Sequence, residues 1–281
     1  MPAGNFLGEA ENLDKPEDGF SAYTACGFSP ELDAQIAKTR VAEPDRSQTF
    51  GMVRVCDATA AAIYEGGFSP RRIQYREGSR PRLERAAPGV PSHPGPETAC
   101  AVMHWVHHHV RHAWTSEAEV STTRGLTEEQ ILSSGIGWCN EQARVFIALC
   151  GIRGIAARLC FVFHASLPLG HAAAEAFVDG RWGFFDPTFD LHVALPGNRI
   201  AEARELGGPL RPLAHGAYRS AYDRFLPEIA NSWRPHFLRT HDADPARPGD
   251  LLAFQGITNY VIDGVQALDG GFHLPSVPHC R

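Results

Sequence analysis

The chain has 281 residues, 43% apolar and 21% charged, which excludes a disordered tail protein, a collagen and a small disulfide scaffold. A net charge of −6 excludes a global basic field for nucleic acid, and no apolar run is long enough to predict a membrane span. Seven cysteines, an odd number with no Cys-x-x-Cys pair, argue against a disulfide framework and a tetrahedral zinc site. The acidic start, from Met1 to Phe20, lacks a basic cluster followed by an apolar run, so a cytoplasmic, reducing location is expected.

The first fifty residues are rich in Gly, Pro, Asp and Glu, and predict one short helix with Ser29 as N-cap and Leu32 and Ile36 on one face. A strand is expected from Met52 to Cys56. Arg71, Arg72, Arg76, Arg80, Arg82 and Arg85 form a basic run that reads as a solvated loop in a chain with only two lysines, Lys15 and Lys38. Four prolines between Pro88 and Pro96 mark a loop or linker. The expected organisation is an N-terminal extension over 1–95, a core over 96–195 and a C-terminal extension over 196–281.

Ala99, Val102, Val106, Val110 and Ala113 recur at helical spacing and predict a helix from Glu97 to Ala113. His104, His108 and His112 lie four apart on its other face, a metal-capable spacing. They read as a polar face, and no metal or cofactor is expected. Thr127 and Gln130 form a capping box for a helix that Gly135 ends. Cys139 opens the next helix, with Ala143, Phe146 and Cys150 on its buried stripe. Strands are predicted over Ile155–His164, His171–Val178 and Arg181–Asp186, the last two joined by Asp179-Gly180, a strong hairpin signal. Tyr218, Ala221, Tyr222 and Phe225 mark a helix ending before Pro227. Ile257 to Leu268 is open between strand and helix.

The chemistry concentrates on Cys139. A thiol at a helix N-terminus meets backbone N–H groups and the positive end of the dipole, which lowers its pKa and offers an oxyanion site. Gly135 and Gly137 allow a tight entry to it. A two-residue turn at Asp179-Gly180 sets Val178 opposite Arg181 and Asp186 opposite Ala173. Asp186 then shares a face with His171, diagonally, at roughly 7–8 Å between backbones, within side-chain reach. Cys139, His171 and Asp186 therefore read as nucleophile, base and orienting acid. Cys150 and Cys160 read as core.

Gly137-Trp138-Cys139, Gly154-Ile155-Ala156-Ala157-Arg158, His171-Ala172 with Glu175, and Asp186-Pro187-Thr188 together resemble the transglutaminase-like superfamily over about Glu97 to Asp190. The resemblance implies an α+β, papain/transglutaminase-like core with the nucleophile helix packed on an antiparallel sheet. It carries the three roles onto Cys139, His171 and Asp186. Ala173 stands where the family usually has an aromatic residue, which predicts extra room beside the histidine. The second oxyanion donor is open between Trp114 and Trp138. Glu175 is a second acid on the histidine's face, and pairing with Arg158 is its favoured role.

The resemblance implies acyl transfer through a Cys139 acyl-enzyme, hydrolysing or forming an amide, as bacterial members do on peptides and small molecules. A small-molecule or peptide acyl donor is expected, with a carrier protein as a further candidate, and neither nucleic acid nor membrane. An arylamine N-acetyltransferase is the alternative enzyme, since Cys139-Asn140-Glu141-Gln142 is reminiscent of it, but Gly-Ile-x-Ala-Arg and Asp-Pro-Thr fit the first family better. A non-catalytic binding module of the same fold is the alternative outside enzymology.

Overall fold

Apolar spacing, capping residues and turn chemistry translate into the following elements. The structure, a computed structural model, describes residues 53–55, 64, 78, 80–87, 89–91, 93–117, 126–163, 170–234 and 254–258. In chain order these carry β1 (Val53–Val55), α1 (Pro81–Arg85), α2 (Pro96–His109), β2 (Arg111–His112), α3 (Glu128–Ser134), β3 (Ile136–Gly137), α4 (Cys139–Ile152) and β4 (Ala157–Phe163). There follow β5 (Gly170–Val178), β6 (Arg181–Asp186), β7 (Leu191–His192), β8 (Ala194–Leu195), β9 (Arg199–Ile200), α5 (Ala203–Gly207), α6 (Arg211–Phe225) and β10 (Phe254–Thr258). The helix expected at Ser29–Ile36 and the arginines at 71, 72 and 76 lie outside the described residues.

Local signals set several boundaries. Thr127 Oγ1 accepts the Gln130 N–H at 3.3 Å while Gln130 Oε1 accepts the Thr127 N–H at 2.9 Å, and Gly135 leaves α3 at φ 66. One boundary differs from expectation. α2 stops at His109 instead of continuing to Ala113, because Arg111 and His112 pair in parallel with Ile136 and Gly137. That pairing across distant sequence overrides the helical repeat and takes His112 off the histidine face.

The principal sheet among the described residues runs β1-β10-β4-β5-β6-β7, antiparallel throughout. Asp179 at φ 50 and Gly180 at φ 78 both have the positive angles of a two-residue type I′ turn. The turn sets Val178 opposite Arg181 and Ala174 opposite Phe185, the register expected from sequence. Phe254–Thr258 is a strand inserted between β1 and β4; of the stretch from Ile257 to Leu268, open between strand and helix from sequence, only Ile257 and Thr258 lie among the described residues.

Alternation along the strands separates two buried layers. Leu159, Ala174, Ala176 and Phe185 pack with Val102 and Val106 of α2 and with Phe146 and Cys150 of α4. Cys160, Val162, Ala173 and Phe184 pack with Ala214, Tyr218, Ala221 and Phe225 of α6. The sheet is thus covered by helices on both faces, an α+β arrangement with the Cys139 helix on one of them. No helix among the described residues is long and apolar enough to cross a membrane.

Candidate active site

α4 begins at Cys139, with Trp138 as its N-cap. Glu141 fixes this entry, since its Oε2 accepts the Trp138 N–H at 2.9 Å. Gly137 is needed for a close approach. A Cβ there would meet the Glu141 Cβ at 3.1 Å, the Val110 Cγ1 at 3.3 Å and the Ile131 Cγ2 at 3.4 Å. Gly137→Ala is therefore expected to destabilise the fold by about 1–3 kcal/mol and to displace the start of α4. Thermal unfolding together with Cys139 alkylation rates would check this; an unchanged melting temperature and rate would refute it.

His171 sits at the start of β5 and Asp186 at the end of β6. His171 Nε2 and Asp186 Oδ2 are 2.7 Å apart, and both side chains are buried. Cys139 is hydrogen-bonded to the same imidazole. The structure thus joins Cys139, His171 and Asp186 in one line of contacts. Burial works against a charge on His171, but Asp186, through its charge and hydrogen bond, and the bonded Cys139 outweigh it and raise the imidazole to about 10. An imidazolium held between a sulfur and a carboxylate can stabilise a thiolate and later release its proton.

The other described thiols lack this setting. Burial pushes Cys150 and Cys160 well up and holds them as inert thiols. Cys100 also touches a histidine, with its Sγ 3.8 Å from His192 Nε2. Burial and Asp190 raise that thiol to about 11, while burial lowers His192, so both stay neutral.

Asp186 carries more partners than sequence reasoning found. Its Oδ1 accepts the Thr188 N–H at 3.0 Å, and its Oδ2 accepts the Tyr218 hydroxyl at 2.7 Å. Thr188 Oγ1 donates to Gln142 Oε1 at 2.7 Å, and Gln142 Nε2 donates to the Val110 carbonyl at 2.7 Å. Gln142, Thr188, Asp186 and Tyr218 are all buried. A polar chain therefore ties the Cys139 helix to the loop after β6. Tyr218 was visible in sequence only as part of an apolar helix face. Burial and the Asp186 charge keep its hydroxyl protonated, so it stays a donor. Tyr218→Phe should lower stability by about 1.5–3 kcal/mol by removing a hydrogen bond to a buried carboxylate. Chemical denaturation measures this; a loss below about 0.5 kcal/mol would show that the bond contributes nothing.

Ala173 does not open space beside the histidine. It is buried in the layer that α6 makes with the sheet, and the Phe189 ring lies 5.4 Å from that of His171. The helix that fills this region comes from beyond the recognised motifs.

The two tryptophans lie together through His112. Its ring is 4.9 Å from that of Trp114 and 5.8 Å from that of Trp138, and its Nδ1 accepts the Trp114 N–H at 3.2 Å. Glu175 is engaged away from Cys139. It stands opposite Arg158 in the sheet, and its Oε2 is 2.6 Å from Arg158 Nη2, with both side chains fully buried. Its Oε1 accepts the Tyr64 hydroxyl and the Ala203 N–H, and the Arg158 guanidinium lies 3.7 Å from the Trp182 ring centre. This is the pairing favoured from sequence, and it locks β4, β5 and the start of α5 together.

Comparisons with known proteins cover part of the chain. The model of the Transglutaminase-like superfamily matches residues 85–187. The solved structure of a "Putative Cysteine Protease from Cytophaga hutchinsonii" is similar at 23% identity, over 43% of this chain and 40% of that one, with a TM-score of 0.31. The chain therefore spans less than half of that protein's length. No curated protein matches. The stretch of this chain that is similar to the transglutaminase-like superfamily, residues 85–187, holds Cys139, His171 and Asp186.

Proposed function

We propose that the protein is a cysteine-dependent acyl-transfer enzyme that hydrolyses or forms an amide through a Cys139 acyl-enzyme. The observation that carries this reading is the continuous contact from Cys139 through His171 to Asp186, with the sulfur at a helix N-terminus. In the resting state the sulfur is the thiolate and His171 the imidazolium. The sulfur attacks the carbonyl carbon of an acyl donor, and the oxygen takes the negative charge beside the N-terminal N–H groups of α4. The C–N or C–O bond then breaks, the imidazolium protonates the leaving group, and a thioester remains on Cys139. Neutral His171 next removes a proton from water or an amine, which attacks the thioester. Product leaves, and the proton taken by His171 restores the imidazolium–thiolate pair. Asp186 holds the ring with Nε2 toward itself throughout.

The donor is a small molecule or a peptide, with an acyl group on a carrier protein as a further form. A reducing, cytoplasmic setting suits a chain whose described cysteines are all free. Mass spectrometry after incubation with mixed activated amides, esters and thioesters tests the reading. An acyl mass increment on Cys139 that decays with water or an added amine supports it. Labelling confined to other cysteines would sink it.

A further inference from the structure

α2 ends in His107, His108 and His109, with His104 one turn before His108. His104 Nδ1 lies 2.9 Å from Asp190 Oδ2, and the His104 and His108 rings meet edge-on with centres 4.4 Å apart. One ligand atom each from His104, His108 and Asp190 lies within 4.8 Å of the others. Asp190 reaches this surface from the loop after β6, at φ 48. His107 fastens the same loop, its Nδ1 being 3.2 Å from the carbonyl oxygens of both Pro187 and Thr188.

We propose that His104, His108 and Asp190 form a binding site for a divalent transition metal of the zinc type, with water completing the coordination. The sequence placed His112 third in this set; the structure removes His112 and supplies an acid from 86 positions after His104 instead. Two imidazole nitrogens and one carboxylate oxygen suit zinc and its first-row neighbours, whereas calcium and magnesium take shells of oxygen. Bonds of about 2.0–2.1 Å in a tetrahedral site require ligand atoms roughly 3.4 Å apart. His104 and His108 are exposed, so rotation of their rings closes the remaining gap. Cys100 and His192 lie outside the set. The site is separate from the thiol chemistry, and a bound ion would pin the loop that follows Asp186 to α2.

The test uses the full chain carrying Cys139→Ser, so that the reactive thiol cannot hold the metal. Calorimetric titration with Zn²⁺ is expected to show one equivalent per chain. His104→Ala, His108→Ala and Asp190→Asn, added singly, should each weaken binding by about a hundredfold. Asparagine tolerates the positive φ at position 190, so that variant keeps the backbone. His109→Ala, whose ring stacks on Trp105, should bind as before. Co²⁺ in place of Zn²⁺ should give visible d–d bands without a sulfur-to-cobalt charge-transfer band. Loss of zinc binding on Cys139→Ser, unchanged affinity in any of the three ligand variants, or a thiolate band would each overturn the proposal.

Discussion

Cys139→Ala is expected to remove all covalent acyl-enzyme and to lower turnover by about 10⁴-fold or more, in line with loss of a nucleophile from a coupled triad. No other described thiol can replace it. Cys150 and Cys160 are buried with their acidity suppressed, and Cys100 is raised to about 11 beside a neutral His192. The fold should survive, because the side chain lost is small and the entry to α4 is held by Gly137 and Glu141. The expected change in stability is about 1 kcal/mol. Mass spectrometry and circular dichroism on the same sample separate the two effects. Undiminished turnover by a folded Cys139→Ala protein would move the reaction elsewhere.

Asp186→Asn should lower turnover by up to about 10⁴-fold, because an amide carries no charge to balance the imidazolium. The sign of the accompanying pH change follows from the causes of the His171 shift. Burial lowers that pKa and Asp186 raises it, so loss of the carboxylate charge brings the midpoint down from about 10. In the parent protein the stabilisation from charged His171 is complete below about 6.5, its ordinary value, and is lost as pH rises through about 10. In Asp186→Asn that alkaline loss should disappear. Imidazole NMR across pH, with melting temperatures at the same points, measures both. An unchanged His171 midpoint would sink the assignment. Asp186→Ala is a harsher change. It strands His171, Tyr218 and the Thr188 N–H around a vacated buried carboxylate, and should cost about 3–5 kcal/mol of stability. The hairpin alone gives no sign of this structural burden, because two of those donors become visible only in three dimensions.

Local chemistry accounts for what was legible in the sequence. Asp179-Gly180 dictates its turn, the turn dictates the register, and the register puts Asp186 on the His171 face. The Thr127 capping box and the helix beginning at Cys139 are read from neighbouring residues in the same way. What was not legible depends on distant partners. Nothing near Gln142 signals that it joins Val110 to Thr188, and nothing near Tyr218 signals an acid 32 positions earlier. The helical spacing holds for His104 and His108, which lie on α2, and fails for His112, because strand pairing with Gly137 captured that residue. β10 inserts between β1 and β4 from the far end of the described chain, a placement that periodicity cannot reveal.

The Tyr218 contact bears on how far the structure around Asp186 extends along the chain. The recognisable family segment closes at residue 187, one position after Asp186, whereas the hydroxyl that holds that carboxylate lies on a helix reaching Phe225. A fragment cut at the limit of similarity would contain every residue of the proposed triad and still lack two of the acid's buried donors, the Thr188 N–H and the Tyr218 hydroxyl. It would also expose the sheet face that α6 covers. Similarity is confined to one stretch of the chain, but the contacts that hold its buried acid reach beyond that stretch.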